Sequence, residues 1–266
     1  MQEPTRVVPL EDMDERTFLN YLNRDRVRHV FTLCDLQNVR DKTRVWVALR
    51  DVEVAGYVFE YDRRIVRTHG DPEIVPELLG KIDLDEPVLV VQPDHLRAVK
   101  KVFEPVERMD PLSKGKVTTF LVMKMDSATF MPTIKHVVKK LGAEDLDEVF
   151  KNLGQDLRSM VQNAVNMGFA YGGYVDGVLA SCATVAEHIE DVALIRGVFT
   201  APSLRGQGLS TSVCSALVEE SFRLGKTPML WVSKDNPAAL RVYKKLGFKE
   251  TGIVLKCFRA KRRGRT

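Results

Sequence analysis

Apolar positions along the chain fall into four blocks, and the same four blocks return in the same order further on. Residues 5–22 and 134–153 each begin with a short apolar strand and continue through an acidic cap into an amphipathic stretch. Glu11 and Asp12 precede one predicted helix, Glu144 and Asp145 the other. Residues 45–61 and 169–186 are apolar runs interrupted by a short polar turn, the pattern of two antiparallel strands. Residues 86–103 and 227–248 read as a buried strand and then a helix in nearly the same wording, HLRAVKKVF against ALRVYKKLGF. A further strand closes each copy, over 117–125 and 252–260. Four blocks recurring in one order predict a duplicated fold. The expected architecture is α/β (α+β), with lobes covering 1–127 and 128–266, each a mixed, mostly antiparallel sheet flanked by helices.

The copies diverge between the hairpin and the late strand. In the second, residues 193–200 read as a strand, Pro202 ends it, and 209–224 form a helix with Leu209, Val213, Ala216 and Leu217 on its apolar side and Gly225 as its stop. The segment Arg205-Gly206-Gln207-Gly208-Leu209-Ser210 therefore sits at a helix N-terminus. The first turn of a helix leaves amides unpaired, and with the aligned peptide dipoles they attract an anion. Gly206 and Gly208 let a ligand approach the backbone, Arg205 adds charge at the rim, and the Ser210 and Thr211 hydroxyls are further donors. A pyrophosphate is the natural occupant. The dipole alone contributes only about 0.3–1 kcal/mol, so affinity has to come from several converging amides. No GxxxxGK[ST] run is present, and RGQGLS is not GxGxxG, which disfavours nucleoside triphosphates and dinucleotides. The matching stretch of the first copy, 65–85, has Asp71 and Glu73 and no glycine pair.

Composition narrows the class further. With 266 residues, 44% hydrophobic and 29% charged, the chain can bury substantial cores, and its length favours two domains. Neither a secretory leader nor a run of about 18 uncharged apolar residues is visible, so a cytoplasmic protein without membrane partners is expected. Cys34, Cys182, Cys214 and Cys257 lie far apart and the five histidines are scattered, so neither a disulfide framework nor a metal is expected. Five basic residues in the final RAKRRGRT account for the net charge of +4 and leave a nearly neutral body. Such a tail reads as a solvated end, and no nucleic-acid partner is expected.

The segment RGQGLS after a strand ending at Thr200 is similar to the (Arg/Gln)-x-x-Gly-x-(Gly/Ala) signature of the GNAT superfamily of N-acetyltransferases, with Ser210 as a mild departure. Asn236 to Phe248, NPAALRVYKKLGF, resembles the family's Asn-x-x-Ala-x-x-x-Tyr-x-x-x-Gly-Phe segment. The likeness covers roughly residues 131–260. The tandem arrangement resembles glycine N-acyltransferases and other two-lobed members, the first half being a degenerate relative.

This resemblance implies an N-acyltransferase that moves an acetyl or acyl group from acetyl-CoA, or another acyl-CoA, to a primary amine of a small molecule or peptide by direct attack. It places pantetheine against Val198 and Thr200, and pyrophosphate on Arg205, Gly206, Gln207, Gly208, Leu209, Ser210 and Thr211. Asn236 would lie on the pantetheine or adenosine side, and Tyr243 occupies the general-acid position. The strand position where many relatives carry a carboxylate is Leu194. Glu187 is carried as the candidate base, beside His188, Glu190 and Asp191, while a water relay or an already neutral amine stays open. A non-catalytic acyl-CoA-binding regulatory module is the alternative. A duplicated chain can mimic a dimer within one molecule, so a monomer is expected.

Overall fold

A computed structural model describes residues 5–107, 117–154 and 158–264. The chain forms two compact units, one made of residues 1–120 with 253–266 and the other of residues 121–252. The expected single boundary near 127 is thus replaced by two crossings. The last strand, anticipated as the close of the second copy, lies in the N-terminal unit.

In that unit β1 (Thr5–Pro9) leads through α1 (Glu15–Arg24) and α2 (Arg26–Asn38) to β2 (Thr43–Arg50), β3 (Glu53–Tyr61) and β4 (Ile65–Gly70). Then come α3 (Val75–Gly80), β5 (Val88–Val91), the one-turn α4 (Leu96–Val99) and β6 (Phe103–Pro105). Strands β1 to β4 are antiparallel neighbours and β5 runs parallel to β4. The other edge of β5 pairs antiparallel with the chain's last strand, Cys257 opposite Val90 and Phe258 opposite Leu89. Phe258 and Ala260 therefore enter a core with Val58, Val66, Leu78, Leu89 and Phe103.

The C-terminal unit repeats this order. Strand β7 (Thr118–Lys124) enters it, followed by β8 (Val137–Lys140), α5 (Leu146–Leu153), α6 (Arg158–Asn166), β9 (Ala170–Val175), β10 (Val178–His188) and β11 (Val192–Thr200). Helix α7 (Leu209–Arg223), β12 (Thr227–Ser233) and α8 (Pro237–Leu246) follow, before β13 (Lys249–Arg262) leaves for the other unit. Strands β8 to β11 are antiparallel, β12 runs parallel to β11, and β7 takes the sixth place beside β12. Asp176 and Gly177, both at positive φ, make the tight β9–β10 turn that a two-residue hairpin requires. Helices α7 and α8 cover one face through Ala193, Ile195, Val213, Leu217, Tyr243 and Leu246. Helices α5 and α6 cover the other through Val149, Phe150, Val161, Ala170 and Cys182.

The near-identical wording of the two late helices has unequal outcomes. In α8, Asn236 Oδ1 accepts the Ala239 amide at 3.1 Å and Pro237 supplies a preset first turn, so ten helical residues follow. Gly247 then ends the helix at φ +105°, where a Cβ would lie 1.9 Å from the Thr129 carbonyl oxygen. No side chain caps α4, which stops after four residues.

The C-terminal basic residues are built into the N-terminal unit. Arg259 pairs with Glu86 at 3.5 Å and Arg263 with Glu104 at 3.7 Å. Arg262 donates to the carbonyls of Leu79, Ile82 and Leu84 and lies over Phe103. Arg265 and Thr266, the end of the run read as a solvated tail, lie outside the described residues.

Candidate active site

The parallel pairing of β11 with β12 covers only Val192 to Ile195 against Thr227 to Leu230. Past Ile195 the two strands part, and β11 continues against β10 alone as far as Thr200. A bulge marks the departure, because Thr184 faces Arg196 whereas Cys182 already faces Phe199. Gly197, at φ +65°, supplies the turn the bulge needs. Residues 197–200 are all half-buried, and β12 does not pair with them. Ser181 Oγ fixes the end of the strand by donating to the Phe199 carbonyl at 2.7 Å, and it also meets Thr200 Oγ1 at 2.9 Å.

The strand leads directly to the glycine loop. Arg205 Nε donates to the Thr200 carbonyl at 3.2 Å and its guanidinium lies 5.8 Å from the Phe199 ring centre, so its charge is held at the strand end. Gly208 caps α7 at φ +87°, and the first intrahelical bond runs from the Ser212 amide to the Gly208 carbonyl at 3.1 Å. The amides of residues 209–211 therefore have no partner within the helix. A Cβ on Gly206 would meet nothing within 4 Å, and one on Gly208 only His136 Cε1 at 3.8 Å. This open cradle fits a phosphate group. Ser210 is half-buried and Gln207 exposed, but Leu209 and Thr211 point inward, so Thr211 offers its amide rather than the hydroxyl anticipated from sequence.

Tyr243 stands on the α7–α8 face in the same core cluster as Val198. It is 8% exposed, with its ring edge-on to Phe248 at 5.7 Å. Burial pushes its phenol far above the ordinary tyrosine range, helped by the nearby Cys214 thiol, so it stays protonated. Asn236 is exposed at the start of α8, with its side-chain oxygen committed to the helix cap.

Glu187 lies opposite Leu194, and directly opposed antiparallel residues project on one face, so it shares the α5–α6 side with the position where relatives hold a carboxylate. Leu194 lies one residue before the strands part, and about 13 Å of strand separates it from Val198. His188, Glu190 and Asp191 are further away, at a hairpin end that Lys226 Nζ ties down through the Ile189 and Glu190 carbonyls. Burial pushes the Cys182 thiol up to about 12, and it donates weakly to the Gly197 carbonyl at 3.6 Å, as befits a structural thiol. One neighbour of the cradle had no sequence signal: His136 precedes β8 and meets Ser212 across 76 positions.

Fold and site together define a split-sheet α/β unit in which the strand that leaves the parallel pairing leads into a glycine loop at a helix N-terminus. Residues 140–248 match the profile of the Acetyltransferase (GNAT) family. A stretch of 65 residues is 35% identical to an uncharacterized N-acetyltransferase of Methanocaldococcus jannaschii, spanning 24% of this chain and 29% of that protein. Solved structures share the whole fold. A GCN5-related N-acetyltransferase from Sphaerobacter thermophilus superimposes with a TM-score of 0.65 at 15% identity over 98% of this chain and 96% of that one. A tandem GNAT protein from the clavulanic acid biosynthesis pathway gives 0.59 at 16% over 99% and 100%. Among the described residues no helix is long and apolar enough to cross a membrane.

Proposed function

We propose that this chain is an acyl-CoA-dependent N-acyltransferase, using acetyl-CoA or a related thioester and a primary amine of a small molecule or peptide, with its active site in the C-terminal unit. The observation that carries this reading is the continuity of the β11 segment that β12 leaves unpaired with a helix N-terminus flanked by Gly206 and Gly208, where no side chain stands. The backbone of Val198 and Thr200 holds the pantetheine arm, and Arg205 with the amides of residues 206–211 holds the phosphates. When bound, the cofactor supplies a thioester carbonyl activated toward an amine. Glu187 takes the proton that the amine nitrogen loses as the N–C bond forms, through a chain of several waters along the strand. Tyr243, kept protonated by burial, donates to the sulfur as the C–S bond breaks.

The N-terminal unit supports a single site per chain. Its β4–β5 pairing also stops early, after Arg67 opposite Val90, but the gap is filled. His95, fully buried, bonds Thr68 Oγ1 through Nδ1 at 2.8 Å and the Gly70 carbonyl through Nε2 at 3.0 Å. Asp71, held ionised by the Glu73 amide and Arg50, takes the place of the cradle.

Leu194 in place of a carboxylate favours a second reading, an acyl-CoA-binding regulatory module without turnover. Release of free thiol from acetyl-CoA, measured over a library of amines, decides between them. Amine-dependent release supports the enzyme, whereas tight CoA binding without release supports the module.

A further inference from the structure

The phosphate cradle has a wall that belongs to neither of the motifs marking the site. Segment 133–136 runs along the first turns of α7 and is fastened there by two hydroxyls of that helix. Ser215 Oγ accepts the Thr133 amide at 2.9 Å, and Ser212 Oγ accepts the Lys135 amide at 3.0 Å. Both serines are buried, so these bonds are shielded from competing water. Their effect is to set the half-buried ring of His136 beside Gly208, with Nδ1 2.9 Å from Ser212 Oγ and Cε1 at the rim of the space a Gly208 side chain would fill.

The hydrogen bonds at Ser212 are met by a tautomer whose ring proton faces out. Ser212 Oγ accepts the Lys135 amide and has one proton that it can donate to Nδ1. The ring proton then sits on Nε2, the atom bonded to the Cε1 that borders the cradle. A fixed N–H donor at the mouth of a helix N-terminus complements the backbone amides, because each phosphate oxygen takes more than one donor.

We infer that His136 is a binding and specificity residue of the cradle, donating Nε2–H to a phosphate of the cofactor and favouring coenzyme A over its phosphate-free pantetheine portion. This rests on the reading of the C-terminal unit as the cofactor site. Calorimetric titration of CoA and, separately, of pantetheine into wild type, His136→Ala and His136→Gln tests it. The expected result is about tenfold weaker CoA binding in His136→Ala, partial recovery in His136→Gln, whose amide restores a donor, and no change for pantetheine. CoA affinity within about twofold of wild type in His136→Ala overturns the inference, as does an equal loss for pantetheine, which would make the ring a structural prop. Gly208→Val separates the two levels of the argument. If it abolishes CoA binding while His136→Ala does not, only the role of His136 fails. If neither variant changes CoA binding, in proteins with unaltered circular dichroism, the cradle itself is not the cofactor site.

Discussion

At Gly197 a Cβ would lie 2.5 Å from Met160 Sδ and 2.8 Å from Thr184 Oγ1, on a backbone already at φ +65°. Gly197→Ala should therefore cost at least about 1–2 kcal/mol from left-handed strain alone and disturb the bulge that parts β11 from β12. A lowered Tm together with weaker CoA binding is expected; an unchanged Tm would mean that Met160 and the backbone yield without penalty. Tyr243 carries a different wager. Its phenol is protonated at rest, and Tyr243→Phe should lower kcat by about 10² to 10⁴ while CoA affinity holds. The edge-on contact with Phe248 survives that change, so stability should barely move. A kcat within about threefold of wild type would leave proton donation to solvent. Buried histidines of the N-terminal unit set an acid limit. Burial lowers His29 to about 4 and holds His69 and His95 below the ordinary histidine range. Because the folded state keeps these rings neutral, their contribution is complete above the unfolded value near 6.5 and is lost as pH falls toward the folded values. Each ring contributes a slope of up to about 1.4 kcal/mol per pH unit across its window. Denaturant titrations at pH 7.5 and 5 should show the loss at the lower pH, reduced in His29→Phe; a flat profile would contradict it.

Among the elements, β13 tests how the repeat is assembled. Phe258 is 2% exposed and lies in the N-terminal unit's core, so Phe258→Ala should cost about 3–5 kcal/mol. Hydrogen exchange should place that loss at β5 and α3; faster exchange confined to β9 and β10 would reverse the assignment. Sequence pattern foresaw that a strand lies near 252–260, since alternation and β-branched residues mark strands, but a strand's partner is not encoded in its own pattern. The hairpins, β11 and α7 were legible because their signals are contiguous: glycine, proline and apolar period fall within one window. Helices α2 and α6 were not. The buried face of α2 includes His29, Thr32 and Asp35, which an apolar stripe cannot reveal, and Asp35 is tolerated there only because Arg67 pairs with it at 2.5 Å. The cradle loop was likewise readable as a run of glycines, whereas His136 and His95 act through contacts 76 and 27 positions away.

For the whole molecule, the same topology occurs twice with opposite fates for the same opening. Both units run four antiparallel strands into one parallel pairing that ends early. In the C-terminal unit the freed edge stays open and leads to a helix begun by Gly208, whose amides are unclaimed. In the N-terminal unit a buried imidazole is bonded through both ring nitrogens to Thr68 and Gly70 of the corresponding strand, and a carboxylate held ionised by its neighbours follows at Asp71. Displacing His95 would leave Thr68 and the Gly70 carbonyl without these bonds in a dry site, at roughly 1–3 kcal/mol for each unmet group, and phosphate would then face a negative charge. The expected stoichiometry is one CoA per chain, and it should fall to zero in Gly208→Val. Two CoA per chain in the wild type, or one remaining in Gly208→Val with its fold intact, would show that the His95 closure does not exclude the cofactor.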